Sequence, residues 1–328
     1  MSQTTDAITP DPILQVASGF MAAKHLFTAS AIDLFAAIGE GEATLAELAG
    51  RTSVPARTLR VSADAMAALG FVEKSGDRYR NSPVAAAFLA GRTPVDLRPF
   101  LKFWDRISYP TWMGLEAAVR GAAPIERSFT SEETKLFNEG VAAVTGGAAH
   151  ALAGAVDWSR RNRVLDLGGG TGSFLVALIG AHPHLRGTLF DLPRAIAVAR
   201  EHLKGFGGQI DLLEGDFFEQ EIPSGHDAVL LANIVHGFSE EQNRELLRRI
   251  RAAVEPGAAL LVIDFWLDAS RTQPVFPALM SGEFLVMTGA GESYSDEQAR
   301  AWLAETGWAA RDLKPLAGPA GVLVGEAV

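Results

Sequence analysis

The sequence predicts a mixed fold: an α-rich N-terminal domain ending in a winged helix, followed by a doubly wound α/β domain. Helical apolar spacing in the first part, a helix-turn-helix followed by a tight hairpin, and short β-branched runs alternating with helices beyond Trp158 carry that reading. From Ile13 to Ile38 the apolar positions, among them Leu14, Phe20, Met21, Phe27, Leu34 and Phe35, recur mostly at helical intervals, which predicts two helices parted near Thr28 to Ser30. Thr44-Leu45-Ala46-Glu47 has the form of a capping box opening a short helix; Ser53-Val54-Pro55 is a turn, and Ala56 to Leu69 is a second helix stopped by Gly70. Phe71 to Lys74 and Arg78 to Tyr79-Arg80, joined through Ser75-Gly76-Asp77, read as two strands of a wing. Residues 94–152 read as mostly helical, with a break at Gly121 to Pro124. Strands are then expected at Arg163 to Leu167, Thr188 to Leu192, Ile210 to Leu213, Ala228 to Leu231 and Leu260 to Ile263, with a last pair near Arg311 to Leu316 and Gly321 to Val324. Alternation of this kind predicts a parallel sheet covered by helices on both faces.

The 328 residues carry 29 Lys+Arg against 39 Asp+Glu, a formal charge of −10, which argues against a basic nucleic-acid scaffold. A chain of this length buries about three quarters of its unfolded surface and needs no cross-link to be stable. With 0 Cys there is no disulfide framework, thiolate metal site or cysteine nucleophile, and a reducing cytoplasm is the expected location. The N-terminus shows no signal-peptide pattern, and the longest apolar stretches, such as Ala228 to Val235, fall far short of a membrane span. No membrane partner is expected.

Val164-Leu165-Asp166-Leu167-Gly168-Gly169-Gly170-Thr171-Gly172 joins an expected strand to an expected helix, so the turn backbone can approach a ligand where a Cβ would obstruct it. The spacing is Asp-x-Gly-x-Gly-x-Gly over Asp166, Gly168, Gly170 and Gly172; the third glycine of a dinucleotide fingerprint would fall on Ser173, which disfavours a nicotinamide cofactor. Asp191, about twenty residues beyond the turn at the end of the second strand, is placed to accept both hydroxyls of a ribose. Asp216 and Phe217, after the third strand, offer an acceptor for an adenine amino group and a face for its ring.

On these residues the chain resembles the class I S-adenosylmethionine-dependent methyltransferases, and within them the plant-type small-molecule O-methyltransferases typified by caffeate O-methyltransferase, over nearly its whole length. The resemblance implies a winged-helix dimerisation domain over residues 1–93, a helical linker contributing to a substrate pocket over 94–155, and a Rossmann-like donor-binding catalytic domain over 156–328. It implies S-adenosyl-L-methionine as cofactor, S-adenosyl-L-homocysteine as product, a small-molecule acceptor and a homodimer. The implied cofactor contacts are Gly168 on the methionine moiety, Asp191 on the ribose, and Asp216 with Phe217 on the adenine; Asp166, Gly170, Gly172, Leu192 and Asn233 complete the candidate set. The family's cofactor-contacting lysine four residues before its catalytic histidine is replaced here by Ala232.

The segment Ala232-Asn233-Ile234-Val235-His236-Gly237-Phe238-Ser239 resembles the family's histidine segment, making His236 the candidate general base, with Asp264 and Glu292 as flanking acids that fix its tautomer. The chemistry needs such a base because a phenol holds its proton up to about pH 10. Gly237 and Phe238 stand where the family carries Asp and Trp, so C- or N-methylation on the same fold is the alternative. His182, His184, His202 and His226 lack metal-ligand spacing and are expected to be exposed and structural; no metal is expected.

Trp104, Tyr109, Trp112, Phe137 and Asn138, with Phe276, Met280, Phe284 and Met287, supply surface suited to a flat aromatic or polyketide-like acceptor, with ordinary core packing as the competing reading. Glu283 interrupts an apolar run and reads as solvent-facing, or else as part of a pocket rim. A winged helix also raises a different class, a ligand-responsive DNA-binding regulator. Its stretch from Thr44 to Ser82 holds six basic residues against four acidic ones, a weak charge for phosphate binding, and its second helix is largely apolar, so no nucleic-acid partner is expected.

Overall fold

The computed structural model describes residues 8–123 and 129–328. The chain forms two compact units, Met1–Asp105 and Arg106–Val328.

In the first unit, α1 (Asp11–Ala31) and α2 (Leu34–Ile38) are separated at Ile32-Asp33, with Asp33 in the left-handed region at φ 56°, a little later than the spacing indicated. β1 (Glu42–Thr44) leads into α3 (Leu45–Thr52), and α4 (Ala56–Ala68) follows. The capping box forms as expected: Thr44 Oγ1 accepts from Glu47 N at 3.3 Å, and Thr44 N donates to Glu47 Oε2 at 2.7 Å. Leu59, Ala63 and Met66, on the inner face of α4, are fully buried. The wing is β2 (Val72–Ser75) and β3 (Arg78–Asn81); β1 adds to β3 as a third strand that the sequence did not signal, giving the order β1-β3-β2. Two short helices, α5 (Pro83–Phe88) and α6 (Arg98–Phe103), complete the unit.

The second unit begins with helical turns, α7 (Tyr109–Thr111) and α8 (Leu115–Val119), and the long helix α9 (Ser131–Ala155). The expected break is present at Gly121, whose φ is 84°; its Pro124 end lies outside the described residues. The sheet comprises β4 (Arg163–Leu167), β5 (Arg186–Asp191), β6 (Ile210–Glu214), β7 (Ala228–Ala232), β8 (Ala259–Phe265), β9 (Trp308–Ala310), β10 (Lys314–Pro315) and β11 (Ala320–Ala327). Its order is β10-β11-β8-β7-β4-β5-β6, with β9 also paired to β11. β6, β5, β4, β7 and β8 run parallel, as expected, but the C-terminal strands pair antiparallel, and the single strand expected near Arg311 is split into β9 and β10. Helices α10 (Ser173–Ala181), α11 (Pro193–His202), α12 (Glu240–Ala253), α13 (Val275–Thr288) and α14 (Asp296–Glu305) intervene.

The central strands are buried on both faces, and side chains alternate between two apolar clusters. Ala228, Leu230 and Ala232 of β7 join Leu175 and Leu178 of α10 in one cluster; Val229 and Leu231 join Leu246, Leu247 and Trp302 in the other. One expected surface histidine is in fact buried: His226 Nε2 lies 2.9 Å from Thr188 Oγ1, and desolvation pushes its pKa down. Chain order reverses around β4, since β5 and β6 lie to one side and β7 and β8 to the other. The crevice at the C-terminal end of β4 is therefore where such a sheet takes its ligand.

Candidate active site

The turn after β4 sits at that crevice. Gly168, Gly170 and Gly172 have φ of 70°, 59° and 79°, conformations that only glycine adopts at low cost. A Cβ on Gly168 would come within 2.5 Å of Ile234 Cδ1, and one on Gly170 within 3.0 Å of Asn138 Oδ1, so the turn is also the floor of a cradle with side chains close above it. Asn138, expected in the acceptor pocket, thus stands over the glycine turn, held by its Nδ2 donating to Thr134 O at 2.9 Å.

Asp191 closes the turn from the neighbouring strand. Its Oδ2 accepts from Gly170 N at 2.9 Å and its Oδ1 from Leu192 N at 2.7 Å, leaving each oxygen a further lone pair. Burial pushes its pKa up, partly offset by those two backbone donors. Asp166 lies beneath the turn with 0 % exposure, its carboxylate against the Cα of Gly169 and neither oxygen partnered among the described residues. Desolvation, reinforced by the Asp191 charge, raises its pKa to about 7.

After β6, Asp216 Oδ1 accepts from Phe218 N at 2.8 Å. Phe217, Phe218 and Phe238 form an edge-on trio with centroids 5.0 to 5.8 Å apart. Phe238, where the family carries Trp, therefore still supplies an aromatic face beside Phe217. Asn233 follows β7 at φ 58°, a strained position for a residue with a side chain, with its N–H donating to Ile263 O at 2.9 Å. Ala232 is buried in the strand within the α10-side cluster, packed among apolar side chains.

His236 lies in a 3₁₀ turn, Val235–Gly237, and its Nδ1 is 2.7 Å from Asp264 Oδ1 at the end of β8. Asp264 is 2 % exposed, and its Oδ1 also accepts from Phe265 N at 2.7 Å. The imidazole is stacked on Phe284, centroids 3.8 Å apart, and lies parallel to Phe265 at 6.1 Å. Nε2 makes no hydrogen bond among the described residues. Glu292, expected beside the imidazole, is instead paired with the Arg271 guanidinium.

Several groups that hold the histidine turn carry no signal in the sequence. Asn243 Nδ2, fully buried, donates to Val235 O at 2.9 Å and Phe238 O at 3.2 Å, and Tyr294 Oη donates to Phe238 O at 2.7 Å. Gly291 packs so closely on the His236 carbonyl that a Cβ there would collide with it. Of the candidate acceptor residues, Phe284 is buried against His236, Phe276 packs edge-on to Phe265 at 5.6 Å, and Tyr109, Trp112, Phe137, Met280 and Met287 are partly buried. Trp104, also partly buried, packs on Phe100 at 4.4 Å. Glu283 does not face solvent: it is 5 % exposed, with Oε2 accepting from Ser108 Oγ at 2.6 Å and from Trp112 Nε1. Among the described residues, no group of three or more His, Cys, Asp or Glu stands close enough to hold a metal ion. No described helix is long and apolar enough to cross a membrane.

A parallel sheet with a glycine turn at its switch point, acids at successive strand ends and an antiparallel C-terminal edge is the catalytic domain of a Rossmann-like methyltransferase. The chain belongs to the S-adenosylmethionine-dependent O-methyltransferase family: residues 116–309 match the O-methyltransferase domain and residues 14–91 the O-methyltransferase dimerisation domain. It is 35% identical over 308 residues to 3-hydroxy-5-methyl-1-naphthoate 3-O-methyltransferase of Streptomyces sahachiroi, covering 91% of this chain and 89% of that protein. It is 33% identical to the tetracenomycin polyketide synthesis 8-O-methyl transferase TcmO of Streptomyces glaucescens, covering 99% of each. The crystal structure of human N-acetylserotonin methyltransferase in complex with S-adenosylmethionine superposes with a TM-score of 0.89 at 26% identity, covering 100% of this chain and 99% of that one. Membership decides for an enzyme over a DNA-binding regulator.

Proposed function

We propose that the chain methylates a phenolic hydroxyl of a fused-ring aromatic or polyketide-like molecule, with His236 as general base. The observation that carries this reading is the 2.7 Å bond between His236 Nδ1 and a buried Asp264, which leaves Nε2 free to take a proton. The relatives named for a hydroxynaphthoate and a tetracenomycin polyketide support the acceptor class.

Bound S-adenosylmethionine supplies a methyl carbon already activated by its sulfonium. The remaining work falls to the chain's own residues. Gly168 and Gly170 admit the donor's methionine moiety, and the unused lone pairs of Asp191 accept ribose hydroxyls, with Leu192 alongside. Asp216, Phe217 and their aromatic neighbours hold the adenine, while Asp166, Gly172 and Asn233 shape the turn and the crevice wall. Asp264 accepts the Nδ1 proton and so fixes the tautomer; Nε2 then removes the acceptor's hydroxyl proton as the oxygen attacks. Glu292, which the resemblance makes the second flanking acid, is held by Arg271, so the tautomer is assigned to Asp264 alone. Phe284, Phe276, Met280, Met287, Tyr109, Trp112 and Phe137 are assigned to the acceptor pocket, and Asn138 to its border with the donor turn.

In this reading residues 1–93 dimerise the enzyme, 94–155 contribute to the acceptor pocket and 156–328 carry the donor and the base. A homodimer through the N-terminal segment is supported by the dimerisation match and by the exposed apolar side chains of α1, including Ile13, Leu14, Val16, Phe20 and Met21. We place the enzyme in the cytoplasm, consistent with its lack of cysteine. The test is transfer of labelled methyl from S-adenosylmethionine to hydroxynaphthoates. His236→Ala is expected to lower kcat by about a hundredfold or more with KM within a few fold; turnover close to wild type would contradict the assignment.

A further inference from the structure

We infer that Glu283 is a specificity determinant that receives, on Oε1, a hydroxyl or N–H of the acceptor other than the hydroxyl being methylated. The inference rests on the acceptor site proposed above and names a property of its substrate: besides the reacting hydroxyl it carries a second hydrogen-bond donor.

Glu283 lies in α13 one residue before Phe284, whose ring stacks on the His236 imidazole. Its two oxygens are treated differently. Ser108 Oγ and Trp112 Nε1 both donate to Oε2, while Oε1 is buried without a partner among the described residues. An unsatisfied buried acceptor is costly, so an oxygen left open while its twin takes two donors calls for a further donor. The surrounding run, Met280, Phe284, Leu285 and Met287, is apolar, so a leucine at this position would suit local packing; replacing buried charged groups by apolar ones is often neutral or stabilising. The carboxylate is nevertheless gripped from a second segment. The Trp112 indole is seated against Gly282, where a Cβ would come within 2.8 Å of the ring, so the glycine next to Glu283 is what lets the indole N–H reach Oε2. With Oε2 held by two donors, Oε1 is left as a buried acceptor without a partner among the described residues, one residue from the ring that stacks on His236, and an acceptor in that position discriminates by requiring a donor.

The residue chemistry makes the test directional. In Glu283→Gln the Trp112 N–H, which can only donate, holds the amide oxygen at the Oε2 position and turns the NH₂ group to where Oε1 stood. Glu283→Leu removes the group altogether. The probes are 2-naphthol, the dihydroxynaphthalenes and hydroxynaphthoquinones, titrated calorimetrically in the presence of S-adenosylhomocysteine and assayed for methyl transfer. Wild type is expected to prefer at least one dihydroxy isomer over 2-naphthol by about tenfold or more. Leucine is expected to abolish that preference, and glutamine to reverse it in favour of a carbonyl-bearing probe. Affinity for S-adenosylhomocysteine should be the same in all three proteins, showing an intact fold and donor site. Absence of a preference in wild type, or its persistence in both variants, overturns the inference and leaves the acceptor class standing. Failure of every probe to bind beside S-adenosylhomocysteine overturns the acceptor class and the inference together.

Discussion

Replacing Asp166 by Asn removes a buried titrating group from beneath the glycine turn while keeping its shape. Asp166 is 0 % exposed, and desolvation, with the Asp191 charge, raises its pKa from 3.8 to about 7. Because the folded state holds the proton more tightly than the unfolded chain, protonation favours folding. That stabilisation is fully present below pH 3.8 and is lost as the pH rises through about 7. At about 1.4 kcal/mol per pH unit the whole effect is on the order of 4 kcal/mol, of which roughly 2.5 falls between pH 5 and pH 8. Asn does not titrate, and every other ionisable group is common to the two proteins, so the difference between them reports Asp166 together with its coupling to Asp191. Urea denaturation of wild type and Asp166→Asn, both without cofactor, should show the variant gaining on wild type by roughly 2.5 kcal/mol between pH 5 and pH 8. An unchanged difference at the two pH values would show that Asp166 is ionised in the folded protein at both, and the argument from desolvation would be refuted.

Asp264→Ala should lower kcat by about two orders of magnitude, since the Nδ1 proton loses its acceptor, while calorimetry shows S-adenosylhomocysteine affinity unchanged within a few fold. Gly168→Ala places a Cβ 2.5 Å from Ile234 Cδ1 at φ 70°; a cost of about 1 to 2 kcal/mol to hold the turn in its binding shape should weaken S-adenosylhomocysteine binding by roughly five- to thirtyfold, measured in the same way. Charging the exposed face of α1 with Phe20→Glu and Met21→Glu together should convert the dimer to monomers in size-exclusion chromatography with light scattering.

The sheet was legible because its strands are two-face-buried apolar runs separated by helices, and the glycine turn because three left-handed conformations at alternate positions admit few residues other than glycine. The same logic failed where the signal is tertiary. β1 is only three residues long and exists because β3 offers it an edge; the split at the C-terminus depends on pairing with β11. The burial of Glu283 and of His226 is not legible for one reason: polarity reads as exposure unless a partner is known, and their partners, Ser108 and Trp112 for one and Thr188 for the other, are distant in sequence. Glu292 follows the family pattern in sequence yet meets Arg271, a residue whose left-handed φ of 61° no local pattern announces. The clamp on the histidine turn by Asn243, Tyr294 and Gly291 is likewise a product of packing, visible only once α12 and the segment after α13 are in place.

We propose that the methyl donor sits on the glycine turn with Asp191 on its ribose. Calorimetric titration with S-adenosylhomocysteine, wild type against Asp191→Ala, tests it without an acceptor. Wild type is expected to bind with micromolar affinity and the variant to lose about a hundredfold or more, as two charge-assisted hydrogen bonds disappear. Binding by the variant within about threefold of wild type, with the fold intact by circular dichroism, would contradict it.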